Sequence, residues 1–526
     1  MSEVNHMVVP KRKGVAHPEK KTDAAGPADG SAYSKMTKSL CPHCMKVIEA
    51  RVFEKDGKIL ITKRCSDHGS FEDVYWSDAA QFKRFAGYHA EGDPIENPQT
   101  QSESKGGCPQ DCGLCDKHQT RTMLANVDVT NRCNQNCPIC FANSATAGYL
   151  YEPSLEKIRE ILEMLRNQKP VPVSAIQFSG GEPTVHPKIV EIISMAKEMG
   201  FEAVIIASNG VRIAEDINFA KRMQDAGLRA VYLQFDGITP EPYIQARGYN
   251  ALPMKQKAVE NLREIKMATV LVPTVVKGVN DGQLGGIIDY GMKNLSSVKG
   301  VNFQPVAFTG RIENSELRSR RITVPDVMRL VEEQTDGRIH KDDWLPVPAL
   351  APLDDLLEKV TKKSWLRSSV HAHCGAGLFI FEKDGDYVPL SRFMDLGEAR
   401  RIILDALKES DDGNLGLART AKLVLDLAGT VDMKDAPSYF DWKDLAKHAV
   451  FGSGDVSETL KRNGMFIGCM HFMDPYNFDV ERVERCCIHY ATPDMRLIPF
   501  CAYNTLHREN VEKKFSVKFQ KNFGAC

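Results

Sequence analysis

Between Asn126 and about Phe308, short and nearly continuous apolar runs alternate with longer stretches in which apolar residues recur every three to four positions. The runs are NVDVT, AIQFSG, EAVIIAS, AVYLQFDG, TVLVPTVV and VNFQPVAF. The stretches between them include SLEKIREILEML, PKIVEIISMAKEMG, a segment through Met223, PMKQKAVENLREIK and GGIIDYGMKNL. The first kind suits strands buried on both faces, the second helices with one apolar side. Six strand–helix units in succession predict a parallel, partly closed barrel over residues 126–310. Its catalytic groups should collect at the C-terminal ends of the strands, where the loops gather.

The flanks carry different patterns. Residues 1–38 are rich in Lys, Pro, Gly, Ala and Ser and read as a disordered tail. Over 39–80 two knuckles, CPHC and CSDH, bracket VIEARVFEKDGKILITKR, whose Asp-Gly is a hairpin signal, so a small metal-stapled β unit is expected. Residues 81–125 form a Gly/Pro/Asp-rich segment with its own cysteines. Over 311–526 helical stretches (VPDVMRLVEEQT, LDDLLEKV, EARRIILDALKE, ARTAKLVLDLAG) are broken by a hairpin pattern in HAHCGAGLFIFEKDGDYVPLSRF and end in a cysteine-rich cap. The fold class expected is α/β: a partial (β/α)6, TIM-like barrel with an N-terminal metal-binding β unit and a C-terminal helical, cysteine-rich domain.

Lys plus Arg number 68 and Asp plus Glu 69, so no global field steers the chain toward nucleic acid or an anionic membrane. No apolar run approaches the roughly 18 residues of a spanning helix, and no leader pattern is seen, so a cytoplasmic chain without a transmembrane segment is expected. Fifteen cysteines then point to metals rather than disulfides.

Their grouping carries the chemistry. Cys108/Cys112/Cys115 and Cys133/Cys137/Cys140 share the spacing C-x3-C-x2-C. Only the second follows a predicted barrel strand, so it is expected to be the catalytic set: three thiolates on a 4Fe-4S cubane leave one iron open for a ligand. FSGGEPT follows about forty residues later, at the end of the second strand. Gly180 and Gly181 would let backbone approach a bound amino acid, Glu182 would meet its ammonium, and Pro183 completes the turn. A glycine turn alone is weak evidence; behind the cysteine triplet it makes the chain resemble the radical S-adenosylmethionine (SAM) superfamily. That resemblance implies further SAM contacts at Ser208, Asn209, Asp236, Thr274 and Gln304. The superfamily often has an aromatic before the third cysteine; here it is Ile139.

Cys41, Cys44, Cys65 and His68 form a closed set suited to one zinc or iron. The first triplet needs a fourth ligand for an auxiliary cluster, with Cys374 the best isolated candidate. Cys469, Cys486 and Cys501 would carry a second auxiliary cluster, its fourth ligand being Cys487, His471, His489 or substrate. Cys487 and Cys526 read more simply as free cysteines.

Taken together, the two triplets, FSGGEPT, FQPVAFTGR and the run from CMHFMDPYNFDVERVERCCIHY to IPFCAYN resemble the archaeal tetraether lipid synthase family. The resemblance implies three 4Fe-4S clusters, one rubredoxin-like iron, an electron donor such as ferredoxin, and joining of two phytanyl chain ends of archaeal diether lipids by a C–C bond. The barrel mouth would then be closed by the helices of 311–465, those of 395–450 could line a lipid tunnel, and contact with the membrane would be transient and peripheral. A peptide-maturation enzyme with auxiliary clusters and an iron-sulfur electron carrier are the alternatives. A methyl-transferring enzyme is conceivable, with no cobalamin-binding segment to mark it.

Overall fold

In the computed structural model, which describes residues 33–97, 107–144, 147–311, 318–361, 367–409, 417–440 and 463–517, the chain opens with an antiparallel meander. Its strands are β1 (Ser34–Leu40), β2 (Val47–Lys55), β3 (Lys58–Cys65) and β4 (Gly69–Trp76). The hairpin falls at Asp56-Gly57, both with positive φ, as the Asp-Gly signal predicts. β1 starts inside the segment expected to be a tail. SKMTKSL has little apolar pattern of its own and is ordered by pairing with β2 from Ser34↔Phe53 to Leu40↔Val47.

The six predicted barrel strands are β5 (Leu124–Thr130), β6 (Ala175–Gly180), β7 (Ala203–Ser208), β8 (Ala230–Gln234), β9 (Ala268–Val272) and, after the short β10 (Thr274–Val275), β11 (Val298–Pro305). They pair in parallel in chain order, with helices in the connections. After β12 (Leu345–Pro346), β13 (Gly375–Lys383) and β14 (Asp386–Pro389), the C-terminal segment does more than cap the barrel. Its strand β15 (Gly464–Met470) pairs parallel with β11, and β16 (Ile488–Ala491) pairs parallel with β5, extending the sheet at both edges; β17 (Leu497–Pro499) follows β16 antiparallel. These pairings join residues far apart in the chain, so no local period announces them.

Alternation sorts the strand residues. Val127, Phe178, Ile206, Leu233, Leu271, Phe303 and Ile467 point outward into the main core, whereas Asn126, Gln177, Gln234, Asn302 and Gln304 face the lumen. The lumen faces of β5, β6, β8 and β11 are therefore polar rather than apolar, whereas β7 and β9 present Ala207 and Val272 to the lumen. Helices Leu396–Lys408 and Leu417–Ala428 pack with Ala351–Thr361 around Leu356, Ile403 and Leu423, and none of their described residues lines the lumen, so among the described residues these helices form no part of the expected lipid tunnel. The mouth is walled instead by Met470, Phe472, Met473, Phe500 and Cys501. The N-terminal meander is bolted to this same C-terminal segment. Arg321 is buried between Asp73 of β4 (Nε–Oδ1 2.9 Å) and Asp474 (Nη1–Oδ2 3.0 Å), and Tyr75 donates to Asp479 Oδ2 at 2.8 Å. Among the described residues, no helix is long and apolar enough to cross a membrane.

Candidate active site

The loop leaving β5 carries Cys133, Cys137 and Cys140 along the C-terminal rim of the barrel, all three on the wall of a cavity of about 280 Å³. Backbone bonds clamp the loop to the end of β6: Gly181 N donates to Thr130 O and Glu182 N to Arg132 O, each at 2.8 Å. Gly180 has φ +127°, and a Cβ there would lie 2.1 Å from Thr130 O; a Cβ on Gly181 would lie 2.2 Å from Arg132 O. The glycine pair is thus required by the close approach of β6 to the cysteine loop, a tighter constraint than the expected approach to a ligand.

Glu182 is buried, and its carboxylate accepts from Ser208 Oγ (2.8 Å), Asn209 N (2.6 Å), Thr184 N (3.1 Å) and Thr184 Oγ1 (2.5 Å). Burial raises its carboxyl above the ordinary range, although these donors act in the opposite sense. The residue ties β6 to β7 while lining the cavity with Gly180, Gly181, Ser208, Asn209, Thr274 and Gln304. Pro183 opens the 3-10 turn behind it and is off the wall. Ile139 lines the cavity and packs on Val276, Val306 and Phe308, so an aliphatic contact stands where an aromatic is frequent.

Asp236 departs from expectation. It lies fully buried behind the wall in a two-pronged ion pair with Arg247, Nε to Oδ2 at 2.7 Å and Nη2 to Oδ1 at 2.9 Å. Arg247 reaches the cavity in its place and donates from Nη1 to Ile139 O at 3.0 Å, between the second and third cysteines. Burial pulls the guanidinium down, but Asp236 more than offsets this and holds it above its ordinary value. Behind it, fully buried Lys255 donates to Gln234 Oε1 at 2.6 Å and to Asn209 O, and burial lowers its ammonium to about 8. Neither cation was legible, because both sit on helices (Glu241–Arg247 and Leu252–Glu264) where Arg and Lys are ordinary. Asn126, Gln177 and Asn302 were missed too; amides at alternate positions inside apolar strands were the available signal.

Burial pushes the Cys133 thiol up to about 12, so a thiolate there needs a cation beside it. Three cysteines in one loop on one cavity wall fit a cluster held by three thiolates and open to a ligand.

The remaining cysteines fall into separate places. Cys41, Cys44, Cys65 and His68 bring their ligand atoms within 4.8 Å of one another, with separations of 3.5 Å (Cys65–His68), 3.6 Å (Cys41–His68) and 3.9 Å (Cys44–Cys65). A tetrahedron with arms of about 2.3 Å has edges of about 3.8 Å, so the set fits one ion. Cys44→Ser is expected to release about one equivalent of metal and to open β1–β4 to proteolysis; metal analysis with limited proteolysis checks this, and full metal retention would defeat the assignment.

Cys108, Cys112 and Cys115 lie together against the C-terminal segment, where Arg496 donates to Cys112 O at 2.9 Å and His507 to Pro109 O at 2.8 Å. Contact with Cys108, then burial, raises the Cys112 thiol. Cys374 is not with them. It accepts from Arg482 Nε at 3.4 Å and shares the surroundings of Cys486 and Cys501. Arg482 is buried, and its hydrogen bonds go to this thiol and to His471 O rather than to a carboxylate. A buried guanidinium needs an anion, which metal-bound thiolates would provide. Both ring nitrogens of His489 are engaged, by Thr122 and His118, which removes it as a ligand; His471 keeps Nδ1 unpartnered. Cys487 is buried in the same surroundings, next to Cys486 and near Cys374, and Cys526 lies outside the described residues.

Cys469 is also corrected. On β15 it shares outward parity with Met465 and Ile467 and is buried in the main core, away from Cys486 and Cys501. Cys469→Val is expected to leave iron content unchanged, whereas Cys501→Ala should lower it by up to one cluster's worth; iron and sulfide analysis of the two variants decides between core and ligand.

This fold and cysteine-lined mouth define a radical SAM enzyme, and residues 127–291 match the radical SAM superfamily model. Residues 33–77 match the HMPTM N-terminal zinc ribbon domain. The chain is 48% identical over 493 residues, 93% of its length and 96% of the relative's, to the 7,8-dihydro-6-hydroxymethylpterin dimethyltransferase of Methanocaldococcus jannaschii, and it belongs to that family. A GTP 3',8-cyclase of Clostridium acetobutylicum is 23% identical over 205 residues, 38% of this chain and 62% of that one. Streptococcus suis SuiB bound to its precursor peptide aligns with a TM-score of 0.34 at 16% identity, over 41% of this chain and 46% of that chain. The expected joining of phytanyl chains is overturned by the near-full-length relationship, whose member is named for pterin methylation. The lipid partner and the membrane contact lose their basis with it, and neither the peptide-maturation nor the electron-carrier alternative gains.

Proposed function

We propose that the chain is a radical SAM methyltransferase acting on a reduced 6-hydroxymethylpterin. The observation that carries the reading is the 48% identity across 93% of the chain to the pterin dimethyltransferase. The amide-bearing lumen supports it, because a flat, hydrogen-bonding heterocycle suits Asn126, Gln177 and Asn302 better than an alkyl chain does.

Cys133, Cys137 and Cys140 would hold the SAM-binding 4Fe-4S cluster, which on one-electron reduction supplies a carbon radical able to take hydrogen from an unactivated carbon. The chain's own residues do the rest. Arg247 anchors Ile139, and so the spacing of the last two cysteines; Gly180 and Gly181 seat the loop on β6. Ser208, Asn209, Thr274 and Gln304 offer polar groups to SAM from the cavity wall, while Met470, Phe472 and Phe500 keep water from the mouth. We assign zinc to Cys41, Cys44, Cys65 and His68, and auxiliary clusters to Cys108/Cys112/Cys115 and to Cys374/Cys486/Cys501, with reducing equivalents from a ferredoxin-type donor.

The test is anaerobic incubation of the reconstituted, reduced protein with methyl-labelled SAM and 7,8-dihydro-6-hydroxymethylpterin, following 5'-deoxyadenosine and pterin mass together. Pterin-dependent 5'-deoxyadenosine with one or two methyl groups added to the pterin is the expected result. SAM cleavage that ignores the pterin and leaves it unmethylated would sink the substrate assignment and keep the enzyme class.

A further inference from the structure

The lumen below the cysteine loop has a floor that the SAM contacts do not use. Asn126 on β5 and Gln177 on β6 are paired in register, and Gln177 Nε2 donates to Asn126 Oδ1 at 3.0 Å. That bond leaves Asn126 Nδ2 and Gln177 Oε1, one donor and one acceptor on a bonded pair of neighbouring side chains, buried and without partners. Asn302 on β11, several strands away around the sheet, leaves Oδ1 equally unpartnered. Asn126 and Asn302 are 1% and 4% exposed, so bulk water does not satisfy them. All three residues line the same cavity as the cysteines, each two positions nearer the strand's N-terminal end than Asp128, Ser179 or Gln304. Between the amide walls the lining is Ala207, Tyr232 and Val272, which carry no charge. Gly468 faces Asn302 across the β11–β15 pair; a Cβ there would lie 2.8 Å from Asn302 Oδ1, so the close packing around that amide depends on glycine.

Unpaired buried amides are costly, and three of them around one lumen need explaining. An adjacent donor and acceptor match the edge of a lactam, in which a ring N–H lies next to a carbonyl. We infer that Asn126 and Gln177 read the N3–H and C4=O edge of the pterin ring, and that Asn302 accepts a ring N–H from the opposite edge. The inference rests on the pterin reading and adds the residues that set its specificity. A ring held there lies below the SAM-contacting layer, flat against uncharged side chains.

The experiment is equilibrium dialysis of the reconstituted holoenzyme with 7,8-dihydro-6-hydroxymethylpterin and with its N3-methyl analogue, which lacks the lactam donor. Wild type should bind the parent about 10- to 100-fold more tightly than the analogue. Asn126→Leu and Gln177→Leu should each weaken the parent by a similar factor and erase the discrimination. No pterin binding by wild type overturns the pterin reading and this assignment together. Parent and analogue binding alike to wild type overturns the assignment alone, and that arm needs no variant to fold. Variants that keep wild-type discrimination, or that lose SAM binding in place of pterin binding, overturn it as well.

Discussion

Arg247→Met is expected to destabilise the protein by about 3–5 kcal/mol, the range for removing one partner of a buried ion pair, and to abolish productive SAM cleavage. Asp236 is fully buried and depends on Arg247 for two charge-assisted hydrogen bonds; without them a carboxylate is left in a dry site with help only from Thr274 N at 3.2 Å and from Gln234. The same substitution frees Ile139 O, and with it the segment that separates Cys137 from Cys140. Stability and function should therefore fall together. Chemical denaturation of the apoprotein reads the first, and 5'-deoxyadenosine formation reads the second. The double variant Asp236→Asn/Arg247→Met separates them: it should recover about half or more of the lost stability, because no unpaired charge remains, and still fail to cleave SAM. Recovery of cleavage by the double variant would show that Arg247 acts only through folding.

Replacing any one of Cys133, Cys137 and Cys140 by alanine is expected to eliminate 5'-deoxyadenosine formation, a loss of at least about three orders of magnitude, since an entire reaction path is removed and not one stabilising contact. Fold stability should barely change. The three side chains are only half-buried and line a cavity, so truncation leaves little packing to lose. Iron should drop by about one cluster while the Cys108/Cys112/Cys115 variants lose a different cluster and keep some SAM cleavage. SAM cleavage surviving in Cys133→Ala and vanishing in Cys112→Ala would exchange the roles of the two triplets.

Identical spacing made those triplets indistinguishable by arithmetic, and position after a predicted strand separated them. That argument could place the second triplet on the cavity wall because β5 and its loop are contiguous in the chain, and so are β6 and FSGGEPT. Asp236 shows where such reasoning stops. A polar residue at a strand end suggests a ligand contact, yet its partner Arg247 arrives from the following helix and takes the place on the wall. Cys374 was paired with the wrong triplet for a similar reason: β13 runs antiparallel to β15, which carries it toward the C-terminal cysteines. Cys469 follows from parity, which is readable only once β15 is known to be a barrel strand.

The chain alone determined the β/α barrel, the ribbon with its cluster of three cysteines and a histidine, and the cysteine loop after β5, because each rests on spacing within a few tens of residues, the range over which hydrogen-bonded turns and side-chain periods act. Tertiary structure decided which cations back the loop, how the late cysteines divide between the main core and the surroundings of Arg482, and that the lumen is floored by amides. Those outcomes depend on strands hundreds of residues apart lying side by side, and on burial, which turns an ordinary arginine or asparagine into a group that must find a partner.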